Sequence, residues 1–260
     1  MLIDTHIHLD AAEYTSTRRE VMQSARVAGV AAFVMPAVEP HNFAAVAELA
    51  ASCADVAPAY GFHPLYIDRV GDGAFDQLRV QLEERRPIAV GEIGLDYFVE
   101  GLDRERQQIV LARQLALAAE FNLPVLLHVR RAQDDVLKHL RRTRVRGGIA
   151  HAFNGSRQQA DTFIKLGFKL GFGGAMTYSG SSRIRALAAS LPLEAIVLET
   201  DGPDIPPAWC PQGPSLPAEL ARYAAVLAEL RNEPIEKIIN QTGRNACEAL
   251  PGLERYLRQA

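Results

Sequence analysis

Short apolar runs alternate with longer amphipathic segments along most of this chain. Eight runs have the length and composition of strands: Met1–Thr5, Ala31–Pro36, Val56–Gly61, Ile88–Glu92, Val125–His128, Gly148–His151, Phe168–Gly171 and Ala195–Glu199. Helical periodicity fills the intervals, over Thr17–Ala28, Asn42–Ala51, Asp76–Arg85, Asp103–Phe121, Gln133–Arg141, Arg157–Leu166 and Ser182–Ser190. In the fourth of these, Leu111, Leu115 and Ala118 recur at three- and four-residue spacing. Turn residues separate the elements: Asn122-Leu123-Pro124, Gly147-Gly148 and Leu191-Pro192. Strands alternating with helices imply βαβ units and a parallel sheet. Eight such units favour closure into a (β/α)8 TIM barrel. An open doubly wound sheet is the alternative, but no Gly-x-Gly-x-x-Gly follows the first run. A Pro-rich loop after Asp201 leads to two further helical segments, Ala218–Leu230 and Pro234–Leu250, which would supply the eighth helix and a C-terminal closure. The expectation is one domain, residues 1–260.

Composition narrows the class. A chain of 260 residues, 48% hydrophobic, is near the usual size of one such barrel. The net charge of −3 advertises no nucleic-acid binding, so any positive charge for such a ligand must be local. Basic charge is mostly arginine; Lys138, Lys165, Lys169 and Lys237 are the only lysines. Cys53, Cys210 and Cys247 form no Cys-x-x-Cys pair, which points to a reducing compartment. With no basic, apolar leader at Met1-Leu2-Ile3-Asp4 and no apolar stretch of membrane-spanning length, a cytoplasmic location and no membrane partner are expected.

The chemistry lies at the ends of the apolar runs. His6, His8, Glu92, His128, His151 and Asp201 each follow one. A barrel gathers the C-terminal ends of its strands into one mouth, so these residues would meet there. Four imidazoles and two carboxylates suit two divalent cations, and such pairs hydrolyse phosphate esters. His6 and His8, two apart in an extended segment, face the same way, with Asp4 behind them as a residue that would orient a histidine. A buried Glu92 needs a partner. Because no lysine precedes Lys138 to form a modified-lysine bridge, Glu92 is assigned between the cations. Glu199 and Asp201 are again two apart; Asp201, nearer the mouth, is the expected ligand and general base, and Glu199 a supporting group. Asp201 and Glu92 are thus the catalytic pair. His63, after the third run, could touch substrate or cap structure; Arg130, after His128, suits a phosphate oxygen. Arg131 reads as solvated.

These residues fall in Asp4-Thr5-His6-Ile7-His8-Leu9-Asp10, Gly61-Phe62-His63-Pro64, Gly91-Glu92-Ile93-Gly94-Leu95-Asp96, Pro124–His128, His151-Ala152-Phe153-Asn154-Gly155 and Leu198-Glu199-Thr200-Asp201-Gly202-Pro203. Together these segments resemble the TatD family of metal-dependent deoxyribonucleases, among the amidohydrolase-like barrels. The resemblance implies hydrolysis of DNA phosphodiester bonds, often from a 3′ end, by a metal pair. His6, His8, Glu92 and Asp201 would hold one ion; Glu92, His128 and His151 would hold the other. Zn²⁺ is the expected metal, with Mg²⁺ or Mn²⁺ as alternatives. DNA or another phosphodiester is the expected partner, and a monomer the expected state. Three departures touch the loop that frames the substrate: Gly202 and Asp204 stand where the family commonly has Ala and an aromatic residue, and Ser215-Leu216-Pro217 stands where it has Asn-x-Pro. The same centre acting on an amide, lactone or aminoacyl ester is the competing reading, and a non-catalytic metal-binding protein a weaker one.

Overall fold

The computed structural model describes residues 1–257; the last three positions of the expected domain lie outside them. Eight strands run in one sheet in sequence order: β1 Leu2–Asp4, β2 Val30–Pro36, β3 Val56–Tyr60, β4 Ala89–Asp96, β5 Val125–Arg130, β6 Gly148–Ala150, β7 Phe168–Phe172 and β8 Ile196–Leu198. Every neighbouring pair is parallel. The helices between them are α1 Arg18–Val27, α2 Phe43–Ser52, α3 Ala74–Arg85, α4 Arg104–Glu120, α5 Gln133–Arg142, α6 Arg157–Lys165 and α7 Ser182–Ser190. α8, Leu220–Arg231, and α9, Ile235–Ala249, follow the last strand. This is the TIM-barrel fold the alternation implies.

Hydrogen bonds between the segments after β8 and β1 join the two sheet edges. Thr5 N–H donates to Leu198 O at 3.2 Å, Asp201 N–H to His6 O at 2.8 Å and His8 N–H to Gly202 O at 2.8 Å. Three of the six residues that make this seam, His6, His8 and Asp201, are candidate site residues.

Side-chain alternation along the strands divides the core in two. Phe33, Met35, Val56, Val125 and Leu127 face the helices. Ile3, Val34, Ala57, Ala59, Leu126, Ile149 and Val197 fill the barrel, where α9 and the turn after it add Ala246, Ala249, Leu250 and Leu253 from below. Asn245 pins α9 in place, its Nδ2 donating to Leu193 O and Ile196 O at 2.7 Å each. The small alanines inside β3 reflect how little room a barrel of this size leaves at its axis.

Two strand ends differ from expectation. β4 continues past Glu92 to Asp96, and β5 past His128 to Arg130, because Gly94, Leu95 and Asp96 pair with His128, Val129 and Arg130. Glu92 and His128 therefore sit inside paired strands rather than at their ends. Between Val90 and Ile93, β4 advances three residues while β5 advances two, from Val125 to Leu127. That extra residue is a bulge, and it reverses the alternation. Val90 faces the helices, as do Ile93 and Leu95 beyond the bulge. Glu92 would share their face in a regular strand; instead it points into the barrel.

Candidate metal centre

Glu92 is the hub of the mouth. It is 1% exposed, and five imidazoles reach its carboxylate. On one side, His6 Nε2 lies 3.0 Å and His8 Nε2 3.5 Å from Oε2. On the other, Oε1 has His151 Nε2 at 2.9 Å, His128 Nδ1 at 3.1 Å and His63 Nε2 at 3.3 Å. Asp201 Oδ1 closes the first group, 3.8 Å from His6 Nε2 and 3.9 Å from His8 Nε2. In the second, His128 Nδ1 and His151 Nε2 are 3.3 Å apart. All six residues assigned as ligands from the sequence thus meet at one place, in two groups that share Glu92.

A carboxylate has about four lone-pair positions, fewer than the five imidazoles that face Glu92. The sets His6–Glu92–His151 and His6–His8–Asp201 each bring their ligand atoms within 4.8 Å of one another, a separation a cation can span. His6 Nδ1 and His151 Nδ1 are buried without a hydrogen-bond partner, so the cluster is incomplete as a purely protein network. Imidazole nitrogens beside carboxylate oxygens fit borderline transition ions.

His63 behaves differently, although His63–Glu92–His128 is equally compact. Its Nδ1 accepts the Leu65 N–H at 3.1 Å. The proton must then be on Nε2, which aims it at Glu92 Oε1. His63 is a buried donor at the wall of the centre, and its bond to Leu65 caps the turn that follows, the structural role the sequence left open beside substrate contact.

Burial and charge sort the protonation states. Burial, together with His151, pushes the His6 imidazole down to about 3. The two rings stack at 3.9 Å, so both cannot be cationic. Burial also lowers His63, to about 4. In His8 burial is outweighed by Glu92 and Asp201, which raise it to about 9. In His151 the same carboxylates overcome burial and raise it to about 10. Burial would raise Glu92, yet His63, His6 and His151 hold it well below the ordinary carboxylate range. Burial pushes Asp201 up and takes Glu199 to about 8.

One supporting assignment and one inferred geometry need correction. Asp4 touches no imidazole. Its carboxylate accepts from Thr200 N–H at 2.9 Å and from the Thr200 hydroxyl, with the His6 backbone N–H at 3.4 Å. It braces the seam because its side chain faces β8 rather than the ligands. Glu199 and Asp201 do not simply share a face: Asp201 has a left-handed backbone, φ 54°, which breaks the alternation. Glu199 Oε1 accepts the Ala152 N–H and lies 3.9 Å from His151 Nδ1. Gly171 makes room for it, since a Cβ there would stand 2.1 Å from Glu199 Oε2.

Sequence reasoning gave Asp96 no role. Asp96 Oδ2 is 3.0 Å from His128 Nε2, leaving Nδ1 turned to Glu92. A carboxylate behind an imidazole fixes its tautomer and aim. The available signal was parity: Asp96 lies four residues after Glu92 in an apolar run. Arg130, half exposed, stands at the rim with Nη1 4.0 Å from Asp96 Oδ2.

Gly202, one of the departures from the family pattern, also has a local cause. Tyr14 donates its hydroxyl to Ser215 O, and a Cβ on Gly202 would lie 2.4 Å from that hydroxyl and 2.6 Å from that carbonyl. A bare backbone is needed beneath this bond.

Comparison with known proteins adds a family to the geometry. A family model described as TatD related DNase matches residues 3–251. A relative from Escherichia coli (strain K12), the uncharacterized metal-dependent hydrolase YjjV, is 43% identical over 239 residues, covering 91% of this chain and 92% of the relative. The crystal structure of the Escherichia coli K12 TatD homolog YJJV superposes with a TM-score of 0.93 at 41% identity, covering 96% of this chain and 98% of that one. A human protein named deoxyribonuclease TATDN3 is 29% identical over 275 residues, covering 99% and 97%.

Proposed function

Because the chain belongs to the TatD-related DNase family of metal-dependent hydrolases, we propose that it cleaves phosphodiester bonds of DNA, releasing nucleotides from a 3′ end. One observation carries the reading: the two oxygens of buried Glu92 face separate groups of imidazoles. That arrangement suits two cations across one carboxylate, His6, His8 and Asp201 holding one and His128 and His151 the other. Divalent ions bound there, Zn²⁺ by preference for the nitrogen-rich set, would acidify water and neutralise phosphoryl oxygens.

The protein's own residues have the remaining tasks. Asp201 is the more exposed of the two central carboxylates, at 8% against 1% for Glu92. Burial raises its proton affinity, which suits a general base that takes a proton from the attacking water. Glu92, held ionised by its histidines, keeps negative charge at the centre. His63 lines the centre with its Nε2–H directed to Glu92 Oε1, a donor that an incoming phosphate oxygen would compete for. Arg130 offers a guanidinium fork at the rim. The named activity of the human relative supports DNA as the substrate.

The test is a panel of labelled single- and double-stranded oligonucleotides, run beside simple phosphodiesters and carboxylic esters with metal-stripped and refilled protein. Metal-dependent cleavage of DNA is expected. Metal-dependent cleavage of carboxylic esters alone would reassign the centre to a carbonyl substrate. Arg130→Ala should raise KM for phosphate substrates about tenfold while kcat changes little; an unchanged KM removes Arg130 from the binding site.

A further inference from the structure

The carboxylate that aims His128 also shapes the chain beyond β4. Asp96 Oδ1 accepts the N–H of Phe98 at 2.8 Å and of Val99 at 3.1 Å. The turn so formed leaves Phe98 43% exposed at the mouth of the barrel. Two guanidinium groups lie against its ring: Arg130 Cζ is 3.7 Å and Arg131 Cζ 4.6 Å from the centroid. Neither cation has an acid of its own. Among the described residues no carboxylate pairs with Arg131, and the nearest to Arg130 is Asp96 Oδ2 at 4.0 Å, already committed to His128. The contacts Glu92–His128–Asp96–Arg130 run unbroken from the metal centre to this ring.

An exposed aromatic ring stacked with two cations that have no acid of their own makes a defined local surface. Its chemistry is specific. The Phe98 ring and the guanidinium planes against it form one layer on which a flat partner can stack, and guanidinium N–H groups donate to anions joined to such a partner. This is local positive charge in a chain whose net charge is −3. A duplex keeps its base faces stacked inside; an unpaired nucleotide has a free face joined to phosphates.

We propose that Phe98, flanked by Arg130 and Arg131, is a stacking subsite that seats an unpaired nucleobase next to the scissile bond. The proposal rests on the reading of the centre as a DNA hydrolase and adds to it a residue that senses the base. Arg131, which reads as solvated from the sequence alone, then has a binding role. The consequence is a dependence on the base itself: a strand of the same charge lacking that base loses the contact.

The experiment measures binding by fluorescence anisotropy on metal-loaded protein, with a labelled single-stranded phosphorothioate oligonucleotide and its counterpart carrying abasic positions. The wild type should bind the base-bearing strand about tenfold more tightly than the abasic one. Phe98→Ala and Phe98→Leu should lose that preference, while Phe98→Trp should keep it. Leucine restores bulk without a π-face, so wild-type binding by Phe98→Leu would overturn stacking in favour of packing. Equal losses for both strands in Phe98→Ala, or changes below about twofold in every variant, would also overturn it. Cleavage of the unmodified strand by the wild type is scored in parallel. A strand bound through Phe98 but uncut would uphold the subsite and remove the nuclease reading; a strand cut without regard to Phe98 would do the reverse.

Discussion

Glu92 carries most of the chemistry at the scale of single residues, since both groups of imidazoles converge on its two oxygens. Glu92→Gln should lower the metal content per chain in elemental analysis; two tightly held ions in the variant would exclude a bridging role. Asp96 aims His128 with one oxygen and forms the turn after β4 with the other. Asp96→Ala should weaken metal binding by roughly 10- to 100-fold, read by chelator competition, and wild-type affinity would leave Asp96 merely a turn-former. The sequence displayed the histidines, Glu92 and Asp201 because each interrupts or ends an apolar run, where a polar side chain needs a reason. It hid Asp96 and misdirected Asp4 for one cause. Their roles are set by what faces them in space, His128 for the first and Thr200 for the second. No local pattern encodes a neighbour 196 positions away.

Among the elements, β4 is the one whose form the site depends on. Its bulge turns Glu92 inward, and its Gly94, at φ 157°, lies so close to β5 that a Cβ would stand 1.8 Å from His128 O. Gly94→Ala should therefore cost about 3 kcal/mol or more in chemical denaturation and separate His128 from Glu92. Gly101→Ala is the contrast, equally left-handed at φ 83° but with nothing near its Cβ, so its cost should be only the backbone strain of about 1 kcal/mol. All eight strands were visible in order from the alternation of apolar runs and amphipathic stretches. The far ends of β4 and β5 were not, because pairing between the two strands decides where they stop, and glycines obscure the alternation there.

At the scale of the whole molecule, the metal-free protein must accommodate a dense knot of ionisable groups. His8 and His151 rise from an ordinary 6.5 to about 9 and about 10. A value raised by folding contributes stability in full below about pH 6.5 and loses it as the pH climbs through the folded value. Glu199, raised to about 8 from 4.5, and Asp4, raised to about 7 from 3.8, act in the same direction. Chelated protein should therefore melt at a lower temperature near pH 10 than near pH 6.5. Cations that displace the imidazole protons should bind more tightly as pH rises and lift the melting temperature most on the alkaline side. A melting temperature of chelated protein that rises over this interval would contradict the assignment of His8 and His151 as proton holders.

The seam between the first and last strands has a temporal meaning as well. His6 and Asp201 are joined through their backbones there, Asp201 N–H donating to His6 O, yet seven strands, β2 to β8, and seven helices, α1 to α7, separate them in the chain. A ribosome delivers His6 just after the first strand and must finish the eighth before its counterpart arrives. Any truncated or half-folded product would carry many of the ligands without the enclosure that makes them act together. The candidate ligands therefore come together only when the ring is closed.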